Sequence, residues 1–266
     1  MKIREIEAKS ILSKTEIPIA DYVINPYIGC IHSCIFCYAR FMKRFTGHQE
    51  DWGKFLDVKI NASNLVPKNN SKYEGKYIFL SSVTDPYLPL ERKYELTRRI
   101  IEKLIPLRPF LGILTKSDLI LMDLDLIRQF KNSEIGFSFS TLDEDIRKEV
   151  EPGASPVKNR INALKEVHEA RIKTHVFISP ILPFLTDWKE IIEKTRDYVD
   201  YFMFENLNIT GTVWASVKRF LEQKHPDLVQ EYKKIYSDNI YWDIIEEEII
   251  EFCKKEKLDC KMYFHH

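Results

Sequence analysis

Three of the chain's five cysteines fall within eight residues: Cys30, Cys34 and Cys37 of CIHSCIFC, a C-x3-C-x2-C spacing. Thiolates are soft ligands, and spacers this short let one loop aim three sulfurs at a common centre. Gly29, just before the first of them, gives the backbone freedom to turn tightly. Two kinds of centre suit such a set. A structural zinc ion takes four protein ligands, so it needs a fourth, for which His32 or His48 is at hand. A [4Fe–4S] cluster has four irons, and three cysteines with no fourth close by leave one iron open to a ligand that is not protein. The open iron is what a reaction needs when a substrate or cofactor must bind the metal directly.

A loop of this kind has to be held by something. The chain has 266 residues, 44% of them hydrophobic and 12% aromatic, enough to bury a full core. Its 40 Lys and Arg balance 40 Asp and Glu, which argues against a global electrostatic grip on nucleic acid but leaves a local basic patch open. MKIREIEAKSILSK alternates charge with short apolar spacers and does not read as a signal peptide, and no apolar run reaches the ~18 residues of a membrane helix. The expectation is a cytoplasmic protein with no membrane contact. In a reducing compartment clustered cysteines read as ligands or catalytic thiols before disulfides.

Short β-branched or aromatic runs alternate with helical ones, the pattern of a parallel βα architecture. Strands are expected at 21–26, 77–82, 110–115, 135–140, 174–179 and 201–206, with helices at 91–105, 156–171 and 187–199 between them. In the second helix Val157, Ile161, Leu164 and Val167 form one apolar stripe. Six βα units build either an open doubly wound sheet or an incomplete barrel, and either places its site at the carboxyl ends of the strands. Polar residues collect there, in NPYIGC, SSVTDP, LTKSD, SFSTLD, ISPILP and ENLN. Each could equally be a cap or a turn former.

CIHSCIFCYAR resembles the signature of the radical S-adenosylmethionine (SAM) superfamily, and NPYIGC.H.C..CYAR is similar to the loop of the branch containing spore photoproduct lyase. The resemblance spans about residues 20–210. It implies an α/β fold, a partial (β/α)6 TIM-like barrel with the cluster loop after the first strand. It also implies a [4Fe–4S] cluster whose open iron is chelated by SAM. An electron from the cluster then cleaves SAM to methionine and a 5′-deoxyadenosyl radical that abstracts hydrogen from a substrate. The cofactors do the difficult step while the protein positions them. An electron donor such as flavodoxin or ferredoxin is implied as partner.

By position in the motif, Phe36 is the aromatic expected to contact adenine. Ser82 stands 45 residues after Cys37, close to the branch's SAM-contacting serine, while Asp85 reads as the turn before Pro86. Lys116 and Ser138 match by order the lysine and serine that bind SAM, with Ser140 as an alternative to Ser138 on the same face of an alternating strand. Leu80 occupies the place of the lyase's hydrogen-donating cysteine, and leucine has no comparably transferable hydrogen. Fold and cofactors therefore carry over by resemblance, and repair of ultraviolet-damaged DNA does not.

Among the remaining features, ARFMKRF (39–45), near His48 and Trp52, interleaves basic and aromatic residues beside the cysteine loop. Such a mixture can stack bases and neutralise phosphates, or be an ordinary amphipathic helix. Cys253 and Cys260 read as buried structural cysteines. Ser155 is a candidate cap, with Pro156 at the first helical position. Residues 243–255 read as an amphipathic helix leading into a last strand. The expected division is an N-terminal segment 1–19, a core barrel 20–212 and a C-terminal helical extension 213–266 covering the barrel. The substrate is left open between a nucleic-acid base or nucleotide, which is preferred, and a peptide or small metabolite. The rival from another class is a non-catalytic zinc or iron–sulfur module that organises a nucleic-acid surface.

Overall fold

In a computed structural model of the chain, residues 1–68, 71–238 and 240–265 are described. The N-terminal strands are β1 (Lys2–Ile6), β2 (Leu12–Lys14), β3 (Tyr22–Ile24), β4 (Tyr27–Ile28) and β5 (Phe55–Lys59). They are followed by β6 (Tyr77–Leu80), β7 (Phe110–Thr115), β8 (Asn132–Phe139), β9 (Lys173–Ile181), β10 (Tyr201–Asn206) and β11 (Cys260–Met262). β3, β6, β7, β8, β9 and β10 lie side by side in chain order, every neighbouring pair parallel. They coincide with the six runs expected from sequence. β2 adds antiparallel to β3 at one edge and β11 parallel to β10 at the other. These two edge strands do not pair with each other, so the partial barrel stays open.

The helices are α1 (Glu91–Tyr94), α2 (Leu96–Leu104), α3 (Leu124–Ile127), α4 (Glu144–Val150), α5 (Val157–Glu169), α6 (Trp188–Thr195), α7 (Val213–Lys224), α8 (Leu228–Asp238) and α9 (Ile240–Glu256). α5 buries Val157, Ala163, Leu164 and Val167 along one stripe, against β8 and β9, whose Phe137, Phe139, Val176 and Ile178 are fully buried. Each such phenylalanine contributes roughly 1.5–3 kcal/mol of burial.

Two expectations need correction. The helix expected at 91–105 breaks at Glu95, which takes φ +47° between α1 and α2. The Glu91 carboxylate accepts from Tyr27 and from the Thr97 N–H, while the Thr97 hydroxyl bonds Pro86 O at 2.6 Å, so the chain is pulled out of helical register there. Ser155 does not cap α5: its hydroxyl is engaged with Asp118, and the Val157 N–H is met by Glu144 Oε2 at 3.1 Å. In the N-terminal segment, β1 pairs parallel with β5, and β5 antiparallel with β4, in a second sheet outside the barrel. No described helix is long and apolar enough to cross a membrane.

Candidate metal and cofactor site

The cysteine loop follows the short strand β4, just past β3, and is pinned on two sides. Gly29 takes φ +93° with its α-carbon so close to β5 that an added Cβ would lie 2.8 Å from Phe55 O. Only glycine fits such a turn without strain. From the other side the link between α4 and α5 rises against the loop. Gly153 N–H donates to His32 O (3.0 Å), Ile35 N–H donates to Val150 O (2.9 Å), and a Cβ on Gly153 would sit 2.2 Å from Ile31 O. Arg40 closes the loop's far end by donating to Cys34 O and Ile35 O at 2.9 and 3.1 Å.

On this loop Cys30 and Cys34 are buried, Cys37 is half-buried, and all three thiols are free. Burial pushes each thiol's pKa upward, so the thiolate form needs a cation to offset its desolvation. Three soft sulfurs free of disulfides, two on buried residues and one on a half-buried one, on a braced loop are a donor set that fits an iron–sulfur cluster. The fit to zinc is poorer. His48 has Nδ1 on Glu50 at 3.0 Å and Nε2 on Asp57 at 2.8 Å, and His32 is buried with Nδ1 3.4 Å from Asp85. Among the described residues no three His, Cys, Asp or Glu side chains converge as ligands of a single ion.

Facing the loop are the carboxyl ends of the strands. Asn25, just past β3, accepts from the Ser82 and Val83 N–H groups (2.9 and 3.1 Å) and donates to Ser82 Oγ (3.2 Å), while Tyr38 donates to Ser82 O. Ser82 is thus fixed beside the residue that follows Cys37. Asp85 does more than shape a turn. Its carboxylate accepts from Tyr87 N–H (2.8 Å), the Thr115 hydroxyl (2.7 Å) and Lys116 N–H (2.9 Å), joining the end of β6 to that of β7.

Lys116 Nζ donates to the Ser138 hydroxyl and, at 3.4 Å, to Ser179 O. It stands 5.7 Å from the centre of the Phe36 ring. The structure therefore brings Phe36, Lys116 and Ser138 together on the side of the strand ends that faces the cysteine loop. Ser140 is not equivalent to Ser138. It lies beyond the last residue of β8, where alternation no longer applies, is fully buried, and donates to Glu151 Oε1 at 2.9 Å. Leu80 is fully buried in β6.

Two residues escaped the sequence reading. Glu151 and Arg160, one in an apparent turn and the other inside α5, meet at 3.0 Å with neither side chain exposed. Glu151 Oε1 also lies 3.3 Å from Lys116 Nζ. Burial would raise the Glu151 carboxyl, but Lys116 and Arg160 outweigh it and hold it below the ordinary carboxylate value. No local spacing signals this trio, since its members come from three separate elements. At the end of β10 Glu205 accepts from the Ser179 hydroxyl and faces His265 Nε2 at 3.2 Å, which raises the histidine's pKa. The other two cysteines are a correction: Cys253 is buried as expected, but it forms a disulfide with the half-buried Cys260 that ties α9 to β11.

Comparison with known proteins places these features. Residues 24–198 match the family model described as the radical SAM superfamily. An uncharacterized protein of Methanocaldococcus jannaschii is 39% identical over 261 residues, 98% of this chain and 96% of that protein. The radical SAM Nalpha-GlyT isomerase of Pseudomonas phage M6 is 22% identical over 225 residues, 81% of this chain and 45% of that protein. Among solved structures, spore photoproduct lyase complexed with dinucleoside spore photoproduct superposes with TM-score 0.72 at 17% identity, over 99% of this chain and 82% of the lyase. That likeness is one of fold.

Proposed function

This chain belongs to the radical SAM superfamily, and we propose that it holds one [4Fe–4S] cluster on Cys30, Cys34 and Cys37 and binds SAM at the iron they leave open. The observation that carries this reading is three free thiols on a loop braced by Gly29 and Gly153, opposite a lysine and a serine at the strand ends. Bound there, cluster and SAM together supply a reductively formed 5′-deoxyadenosyl radical. The chain's own residues do the rest. Lys116 and Ser138 orient the carboxylate of SAM by charge and hydrogen bonding, Phe36 packs against the adenine, and Ser82 contacts the same ligand from just beyond β6. Fully buried Ser140 acts through Glu151 instead. The half-buried Cys37 is the ligand nearest solvent, which suits delivery of the electron by a small carrier such as flavodoxin or ferredoxin.

The C-terminal extension, residues 213–266, serves in this reading as a cover, with residues 239 and 266 outside those described. Tyr232 of α8 donates to Pro183 O at 2.9 Å and Tyr236 to Leu207 O, fastening that helix to the loops after β9 and β10. The substrate class we favour is a nucleic-acid base or nucleotide. It rests on the dinucleoside held by the similarly folded lyase and on Tyr38, Phe41 and Phe45, exposed beside the cluster loop with Arg44 over the last two rings. Anaerobic reconstitution tests the reaction: about four irons per chain and 5′-deoxyadenosine formed from SAM and a reductant support it. Zinc without SAM cleavage supports a non-catalytic module instead.

A further inference from the structure

We infer that Glu151 is a positioning residue that sets where the Lys116 ammonium points, and that the α4–α5 link uses one short segment to place both the lysine and the cysteine loop. The inference rests on the SAM-binding role proposed for Lys116 above. Lys116 has a flexible four-carbon stem, and its ammonium must be localised to meet a carboxylate in one pose. Its other partners, the Ser138 hydroxyl and Ser179 O, are neutral. Among the described residues Glu151 is the one carboxylate within ion-pair distance of it, at 3.3 Å. It cannot swing, because Oε1 also accepts from Ser140 (2.9 Å) and Oε2 from Arg160 (3.0 Å), whose same nitrogen grips Ser138 O at 2.7 Å.

Sharing Glu151 between two cations leaves Lys116 only partly neutralised, with capacity for a second carboxylate. Two residues along the chain, Gly153 abuts Ile31, while Val150 O holds the Ile35 N–H. A shift of this segment would therefore move the lysine and the loop together. Without the Glu151 charge, Lys116 and Arg160 would face one another with no anion between them, and their repulsion would drive the mobile lysine away.

The test measures SAM affinity by isothermal titration calorimetry on the full, anaerobically reconstituted chain. Wild type, Glu151→Gln, Lys116→Met and the double variant are compared, each with its iron content and thermal unfolding midpoint. Glu151→Gln is expected to weaken SAM binding by about 10- to 100-fold, the usual loss when an outer partner of a ligating group is removed, at unchanged iron content. In the Lys116→Met background the same change should cost less than about threefold, because there is no ammonium left to position. Wild-type affinity in Glu151→Gln, or the full loss repeated in the double variant, overturns the inference. Loss of iron together with SAM binding in Glu151→Gln also overturns the positioning role, because the Glu151 charge would then be holding the α4–α5 segment against the cysteine loop and not aiming the ammonium. If Glu151→Gln does not fold, Glu151→Asp, which keeps the charge but shortens its reach, carries the same comparison with the same outcomes. A wild-type protein that holds its iron but binds no SAM overturns the proposed function as well, whereas wild-type binding matched by the variant overturns the positioning role alone.

Discussion

Glu151 and Arg160 form an ion pair at 3.0 Å with both side chains fully buried, at the centre of a network reaching Lys116, Ser138 and Ser140. A buried pair stabilises little against an apolar replacement, but deleting one partner strands the other charge. Here Lys116 stays 3.3 Å from Glu151 when Arg160 is lost, so Arg160→Met is expected to cost about 1–3 kcal/mol of unfolding free energy, measured by urea denaturation. A loss below about 1 kcal/mol, the size of a surface pair, contradicts this.

Gly153→Ala tests the loop's support. The new methyl group would lie 2.2 Å from Ile31 O, and backbone cannot yield as a side-chain tip would. The variant should keep its far-UV circular dichroism yet reconstitute with less than about half the iron of wild type. Full iron loading would show that the loop tolerates the displacement.

The sequence shows this scaffold unevenly, for physical reasons. The six parallel strands were legible because strands covered on both faces read as dense apolar runs; FLGILT and YFMFEN carry no charge until Glu205. β1 was not, since KIREI looks like a solvated stretch until β5 pairs with it some fifty residues on. The cysteine spacing is local and was read directly. The Glu151–Arg160–Lys116 trio is long-range, and a glutamate before Pro152 looks like a turn until the fold folds it inward. Ser138 and Ser140 separated only once the end of β8 was known.

His175 predicts a pH dependence. Its ring is buried in β9 and stacked on Tyr201 at 4.8 Å, and burial lowers its pKa from 6.5 to about 4 against the pull of Glu134. Between those values the unfolded chain binds more protons than the folded one, so stability rises with pH. The histidine's contribution is complete above pH 6.5 and is lost as pH falls toward 4, by up to about 3 kcal/mol. Urea denaturation at pH 7 and pH 5 should show the drop, and His175→Gln should flatten it. An equal slope in the variant would assign the effect elsewhere.

The nucleotide preference makes its own prediction. Lys43→Glu combined with Arg44→Glu, at a half-buried and an exposed position beside Phe41 and Phe45, should weaken binding of a fluorescent single-stranded oligonucleotide by about tenfold or more at low salt and reduce its salt dependence. Unchanged binding would favour a peptide or small-metabolite substrate.

The most direct measurement is iron content and 5′-deoxyadenosine release after anaerobic reconstitution, in wild type and with Cys30, Cys34 or Cys37 changed singly to alanine. Wild type should carry about four irons and release the nucleoside when given SAM and a reductant, and each substitution should abolish release and deplete iron. Release that persists at wild-type rate without any one of these thiols would contradict the account.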